Sequence, residues 1–240
     1  MKSKDIIKHV QIFTLFIITL YVSYCSVKIM RANTWYFNAY NTVQDLQNSS
    51  NEIGDDKASI HRAIDASQKA VSIESTHPHY LHFAAYVELL YLKDRVNLKN
   101  KSLYLDTASQ LLTQSLSYRN SWADTWILLA SVTSMKEGAS NKVYDYINEA
   151  YSLAPFNYRV RLESLKIILI NWQTLTPKFK KLYVDEIAFL YKNFTYQFHE
   201  LIELADEIDA LPILCLTLRL NSEYKEFTRT YKFRKHCNLL

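Results

Sequence analysis

Glycine and proline are almost missing from this 240-residue chain, which has 2 Gly and 4 Pro where ordinary usage is about 7% and 5%. Sheet proteins spend those residues, with Asn, on tight turns. Their scarcity excludes a β-rich fold and points to helices joined by short loops. Two glycines leave no material for a Gly-rich phosphate loop, and no nucleophile elbow or paired-cysteine zinc motif occurs. Three cysteines are too few for a disulfide framework. Charge is scarce as well: the net is +4, and six basic residues against two acids from Arg219 onward account for all of it. A nucleic-acid-binding domain would be basic over a whole face, so no nucleic-acid partner is expected. What is abundant is apolar and aromatic: 49% of residues are hydrophobic, with 18 Tyr and 11 Phe. That is ample for a packed core and excludes general disorder. The expected fold class is all-α.

Residues 10–27 (VQIFTLFIITLYVSYCSV) carry no charge and are bounded by Lys8, His9 and Lys28. As a helix the run is about 27 Å long at 1.5 Å per residue, enough for a bilayer core. A cleaved signal peptide would end in small residues, yet Tyr21 and Tyr24 stand there. An uncleaved anchor is the better reading. Trp35, Tyr36 and Tyr40 follow where amphipathic rings often mark a membrane boundary. Lys2, Lys4 and Lys8 precede the run, and Lys28 and Arg31 follow it; the bias keeps the short tail inside and the large domain outside. The expected organisation is a cytoplasmic tail over residues 1–9, a transmembrane helix over 10–30, and a membrane-proximal helix and linker over 31–59. A helical domain over 60–240 completes it. Cys25 falls in the span. Cys215 and Cys237 would face an oxidising compartment, where a bridge is possible. Most sequence-distant cysteine pairs fail the distance requirement, so two unlinked thiols are expected.

Three blocks resemble one another: residues 70–75 (AVSIES), 115–120 (SLSYRN) and 150–155 (AYSLAP), starting 45 and 35 residues apart. Each reads small, bulky apolar, Ser, bulky apolar, any residue, helix ender. A period in the thirties marks stacked helix pairs. A polar stretch over 47–59 with Gly54 reads as a hinge. After it, Ile60, Ala63, Ile64, Ser67, Ala70 and Val71 share one helix face. Residues 126–155 resemble the tetratricopeptide repeat. Trp126, Leu129 and Ala130 match its first helix, Thr133 departs from its Tyr, and Val143, Ile147, Ala150 and Pro155 match its second. Leu81, Ala84, Ala85, Ala108, Leu112, Ser115 and Asn120 make a weaker copy, interrupted by a polar insertion over 93–102. A further helix is expected over 158–172, and Thr176-Pro177 opens another through Phe194. In such stacks the first helix of each pair lines a concave groove. The resemblance therefore implies partner contacts at His79, His82, Tyr86, Asp124, Ser131, Arg159 and Lys166.

Other groups read as structural. His77, His79 and His82 cluster at a helix start, but nothing pairs them with further ligands, so no metal and no cofactor are expected. Glu200, Glu203, Asp206, Glu207 and Asp209 form a solvated face around Leu201, Leu204 and Ile208 rather than an acid/base pair. A last helix over 222–236 should carry Tyr224, Phe227 and Tyr231 on one stripe and Lys225, Arg229, Lys232 and Lys235 beside it, as a cap on the stack.

A narrower resemblance covers residues 121–175. A Trp-containing helix (WADTWILLA) leads to one ending in AYSLAPF, then to NYRVRLESLKIILINWQTL, with Pro155 and Trp172 at its two ends. This looks like the small membrane-anchored proteins of bacterial exopolysaccharide clusters, of the VpsP type, with Ala154 where that family usually has Gly. It is also similar to the tetratricopeptide tails of some O-antigen ligases. The resemblance implies a single-pass protein of the bacterial inner membrane with its domain in the periplasm. It implies a scaffold for protein partners of an envelope assembly that makes or exports polysaccharide, with no catalytic residues and no enzyme activity. A pilus or secretion adaptor and a direct glycan-binding domain are the alternatives.

Overall fold

The computed structural model describes residues 2–48, 56–93 and 100–237, and every regular element among them is helical. The first helix, α1 (Lys2–Asn48), runs 47 residues without a break. No glycine or proline interrupts it, and its threonine hydroxyls find partners inside the helix. Thr14, Thr19, Thr34 and Thr42 each donate to the carbonyl four residues back at 2.8–2.9 Å. Its first half is long and apolar enough to cross a membrane and buries nothing: Val10, Phe13, Phe16 and Leu20 are all exposed.

At Lys28 the environment of the same helix changes. Ala32, Tyr36, Ala39 and Val43, spaced four, three and four apart, are buried against α2 (Asp56–Ile73), which presents Ile60, Ala63, Ile64, Ser67 and Ala70. The expected membrane-boundary aromatics therefore do something else. Tyr36 is core, and Trp35 is half-buried with Lys69 Nζ 4.2 Å from its ring centroid. They join helix to helix, because α2 packs along α1 from Lys28 onward.

The chain falls into two compact units, Met1–Tyr118 and Arg119–Leu240. The expected boundaries after residues 30 and 59 both lie inside the first. That unit continues with α3 (Pro78–Lys93), packed on α2, and α4 (Lys101–Tyr118), packed on α3. The hinge and the insertion expected over 47–59 and 93–102 fall largely outside the described residues.

The second unit holds α5 (Ala123–Glu137), α6 (Asn141–Leu153), α7 (Tyr158–Ile170) and α8 (Pro177–Asn193). Gly138 ends α5 at φ 73, a conformation glycine adopts freely. Ser140 caps α6 by accepting from Val143 N at 3.3 Å, and Asn157 caps α7 from Arg159 N and Val160 N at 3.0 and 3.3 Å. Pro177 occupies the first turn of α8 as expected, but the Thr176 side chain makes no capping bond. Shorter helices follow: α9 (Glu200–Glu207), α10 (Leu211–Leu220), α11 (Lys225–Thr228) and α12 (Tyr231–His236). Phe179, Tyr183, Ile187, Phe198, Leu201, Leu214 and Phe233 fill the core between them.

Two expectations fail here. The last helix is not continuous: Thr230 breaks it and caps α12, accepting from Phe233 N at 3.3 Å. Tyr224 and Phe233 are consequently buried while Tyr231 faces solvent, so the expected stripe does not exist. The break folds α12 back onto α9 and brings Cys237 to Cys215 of α10, and the two form a disulfide with their Cα atoms 5.8 Å apart. Free thiols were the wrong expectation, because the sharp turn at Thr230, between the two cysteines, defeats any judgement from sequence separation. Arg219 Nη2 donates to the Cys237 carbonyl at 2.8 Å and fixes the same contact.

The three similar blocks are also alike in structure. Each ends a helix at its fourth residue: Ile73, Tyr118 and Leu153. The next helix begins at Pro78, Ala123 and Tyr158, after a four-residue turn every time. The leading small residue is buried in all three (Ala70, Ser115, Ala150). The serine at the third position is exposed and bonds the carbonyl three residues back: Ser72 to Lys69, Ser117 to Gln114, Ser152 to Glu149, at 2.8, 2.7 and 2.9 Å. Small residues are required where the helix axes come closest. Ala150→Leu should therefore lower stability by about 1–3 kcal/mol through overpacking. Exposed Ser152→Leu on the same turn should change it by less than about 0.5 kcal/mol. Urea unfolding of the detergent-solubilised chain followed by circular dichroism measures both.

Candidate interaction surface

The seven residues expected to line a groove are divided between the units, three on α3 and four on α5 and α7. In the first unit His79 and Tyr86 are engaged with α1. His79 Nε2 and the Tyr36 hydroxyl are 2.7 Å apart, and the Gln47 amide donates to the Tyr86 hydroxyl at 2.9 Å. His82 is half-buried between them. The side of α3 that carries these residues is turned to α1, where Tyr36, Tyr40 and Phe83 also stack with centroids 5.1–6.1 Å apart. His77 stacks on Tyr80 at 4.0 Å. Among the described residues, no three His, Cys, Asp or Glu side chains gather as a metal ion would require.

In the second unit Ser131 is buried and Asp124 half-buried. Asp124 sits in the first turn of α5, where the helix dipole favours an acid, and accepts from the Trp122 indole at 3.0 Å. The Ser131 hydroxyl donates to Glu163 at 3.1 Å, linking α5 to α7. Arg159 is exposed and Lys166 half-buried on α7. Asp124, Glu163, Arg159 and Lys166 give this face charges of both signs and hydrogen-bonding capacity. Glu163 was missed by sequence reasoning; its position four residues after Arg159 on the same helix was the available signal.

A buried ion pair lies beneath that face. Arg161 and Glu186 are both almost fully buried, with Nη1 to Oε1 at 2.5 Å. Nε and Nη2 of Arg161 also donate to the Pro155 carbonyl at 3.1 and 2.8 Å. The guanidinium lies between the Tyr151 and Phe189 rings, 3.9 and 4.1 Å from their centroids. Tyr151 bonds the Ser164 hydroxyl, and burial beside Glu186 raises its pKa so that the phenol stays protonated. One side chain thus ties the turn after the third block to α8. The other Glu186 oxygen, Oε2, has no hydrogen-bond partner.

Glu88 is the buried acid of the first unit. It sits on α3 and accepts from the Gln68 amide on α2 at 2.9 Å. Burial pushes its carboxyl above the usual carboxylate range, and the Gln68 bond offsets only part of this.

The acidic run on α9 is a solvated face as expected, although Leu201, Ile202 and Ala205 form its buried side, with Leu204 and Ile208 half-buried. Lys232 pairs with Glu203, and His236 Nδ1 lies 3.5 Å from Asp206, so α12 is held on α9. An open groove of about 600 Å³ beside the disulfide is floored by Leu211, Pro212 and Leu216 and edged by Asp209 and Arg219. Asp206 and the His236 imidazole complete its lining.

With these features described, the chain can be set beside known proteins: no protein-family model matches it, and no curated protein matches it.

Two measurements test the roles of the buried charges. Arg161→Met should destabilise the chain by about 3–5 kcal/mol by leaving Glu186 buried and unpaired, and Glu186→Met added to it should restore most of the loss. Urea midpoints of the single and double variants decide this; an equally unstable double variant counts against it. For Glu88 the raised folded-state pKa means that the neutral form is the stable one. Its contribution is full below the ordinary carboxylate range and is lost as pH rises through the raised value. Glu88→Gln should therefore melt above the wild type, by a margin that widens from pH 4.5 to pH 8 in thermal scans.

Proposed function

We propose that this chain is a single-pass membrane-anchored scaffold. A tetratricopeptide-like helical domain holds a protein partner next to the bilayer, and the protein itself catalyses nothing. The observation that carries the reading is the continuity of α1: one unbroken helix is both the apolar run and the first packed helix of the first unit. An anchor built that way fixes the domain rigidly beside a membrane, which suits a holder of partners better than a tethered enzyme. The equivalent ends of α2, α4 and α6 support the repeat reading. The Cys215–Cys237 bridge supports a domain outside the cytoplasm, since such bonds persist in oxidising compartments. The VpsP-type resemblance over residues 121–175 supports placing the role in bacterial polysaccharide assembly or export at the inner membrane.

In this reading the partner meets the α5 and α7 face with Asp124, Arg159, Glu163 and Lys166, because His79 and Tyr86 are already bonded to α1. Direct glycan binding has less support: the described residues that line the groove beside the disulfide include no Tyr, Trp or Phe face on which a sugar could stack.

Affinity capture of the tagged full-length chain from detergent extracts tests the role. Recovery of polysaccharide synthesis or export components is expected, and it should fall by more than tenfold in an Arg159→Glu/Lys166→Glu variant. Recovery of pilus or secretion subunits alone would replace the polysaccharide reading with the adaptor reading. A reporter fused after Leu240 should be active only outside the cytoplasm; cytoplasmic activity would overturn the orientation.

A further inference from the structure

We propose that the α2–α3 turn and the C-terminal end of α4 form a rim that lies in the lipid headgroup layer of the bilayer crossed by α1. The inference rests on the anchor reading above and adds to it which end of the first unit meets the membrane.

Lys28 is the first charge after the apolar run. Its Nζ is 2.9 Å from Glu74 Oε2, at the end of α2. Glu74 also accepts from the Thr76 hydroxyl at 2.6 Å, and Thr76 first and Lys28 second hold its carboxyl below the ordinary range. The turn over 74–77 is thereby pinned at the level where the apolar surface of α1 stops. The end of α4 is pinned to the same turn: Gln114 Nε2 donates to the Ser75 carbonyl at 3.1 Å, and Ser115 Oγ to the Pro78 carbonyl at 2.8 Å. Three helix ends therefore share one level.

A headgroup layer extends about 5–7 Å beyond each side of the hydrocarbon core, so groups level with Lys28 fall inside it. The exposed groups there are Ser72, Ser75, Thr76, His77, Ser117 and Tyr118. They are hydroxyls, an imidazole and a half-exposed phenol. The one acid among them, Glu74, is already paired with Lys28. That is the chemistry of a surface wet with headgroups: hydrogen-bonding, without an uncompensated negative charge, and with an amphipathic ring at its edge. The opposite end of α4 differs. Leu103 is exposed and lies about 22 Å along the helix from Tyr118, well clear of any headgroup.

The test uses the full-length chain in vesicles of phosphatidylcholine and phosphatidylglycerol, with Cys25→Ser removing the free thiol and the 215–237 bridge left intact. Single cysteines at Phe16, Ser75, Leu103 and Ser117 are spin-labelled, and collisions with oxygen and with a water-soluble nickel chelate are measured. Nickel collisions at Ser75 and Ser117 should be at least threefold fewer than at Leu103, with oxygen dominant at Phe16. Two rim positions guard against one variant misfolding. If Phe16 reads as lipid while Ser75 and Ser117 match Leu103, the rim is in water and this inference is overturned with the anchor intact. If Phe16 is itself reached by nickel, the anchor reading falls and the rim falls with it.

Discussion

The rest of the structure depends on α1 remaining one helix across two environments. A transmembrane segment joined to a domain by a flexible linker leaves that domain free to tumble. Here no residue between Lys2 and Asn48 can break the helix, and the surface it presents changes from lipid-suited to protein-suited at Lys28. The change needs no bend. It follows from replacing a ring of large apolar side chains with Ala32, Tyr36, Ala39 and Val43 on one stripe, so that α2 can approach. Small residues at two of those four places set the distance between the axes, and the Lys28–Glu74 pair sets how far α2 extends toward the apolar end. Every later helix of the first unit takes its level from that pairing.

The turns between helix pairs solve one recurring problem. A helix that ends next to its neighbour must stop abruptly and send the chain back within four residues. The blocks do this with a small residue in the contact, a serine that turns its hydroxyl onto the chain's own carbonyl, and a residue that ends the helix. The turns are then secured by different means. The first is held by Lys28 and Thr76 on Glu74. The third is held from inside by Arg161, whose guanidinium bonds the Pro155 carbonyl and Glu186 at once. The local geometry is shared, while the long-range restraint is particular to each place. Arg161 is buried at high desolvation cost, and that cost is offset by three donated hydrogen bonds and two flanking rings.

What could be read from the sequence is what has a local cause. Scarce Gly and Pro meant helices; the uncharged run meant a span; the ends of α2, α4 and α6 followed from a six-residue phrase. What could not be read has a distant cause. Tyr36 looked like a boundary aromatic because nothing in residues 31–40 announces that His79 and Tyr80 will lie against it. The Cys215–Cys237 bridge depends on the break at Thr230, which a single side-chain cap decides inside an otherwise helical pattern. Nothing in the residues around Arg161 sets it apart as half of a buried ion pair. Its partner stands 25 residues away on α8 and shares no motif with it. The expected partner-binding residues fared in the same way: periodicity put them on the first helices of pairs, but could not tell that two of the three on α3 would be used up by α1.

That last point bears on how a scaffold of this kind could work. If the first helices of the pairs line a binding face, then α1, as the first helix of the first pair, occupies part of that face with its own side chains. Its Tyr36 and Gln47 take the bonds that His79 and Tyr86 could have offered a ligand. The anchor and the recognition surface then compete for the same positions in the first unit, whereas in the second unit, which contains no anchor, Arg159 stays exposed and Lys166 half-exposed on α7. Anchoring and binding are thereby separated along the chain. In the proposed scaffold, residues before Tyr118 hold the domain to the membrane, and residues after it are left to meet a partner. This division follows from packing alone, since a face that closes on the membrane helix is not free to close on anything else.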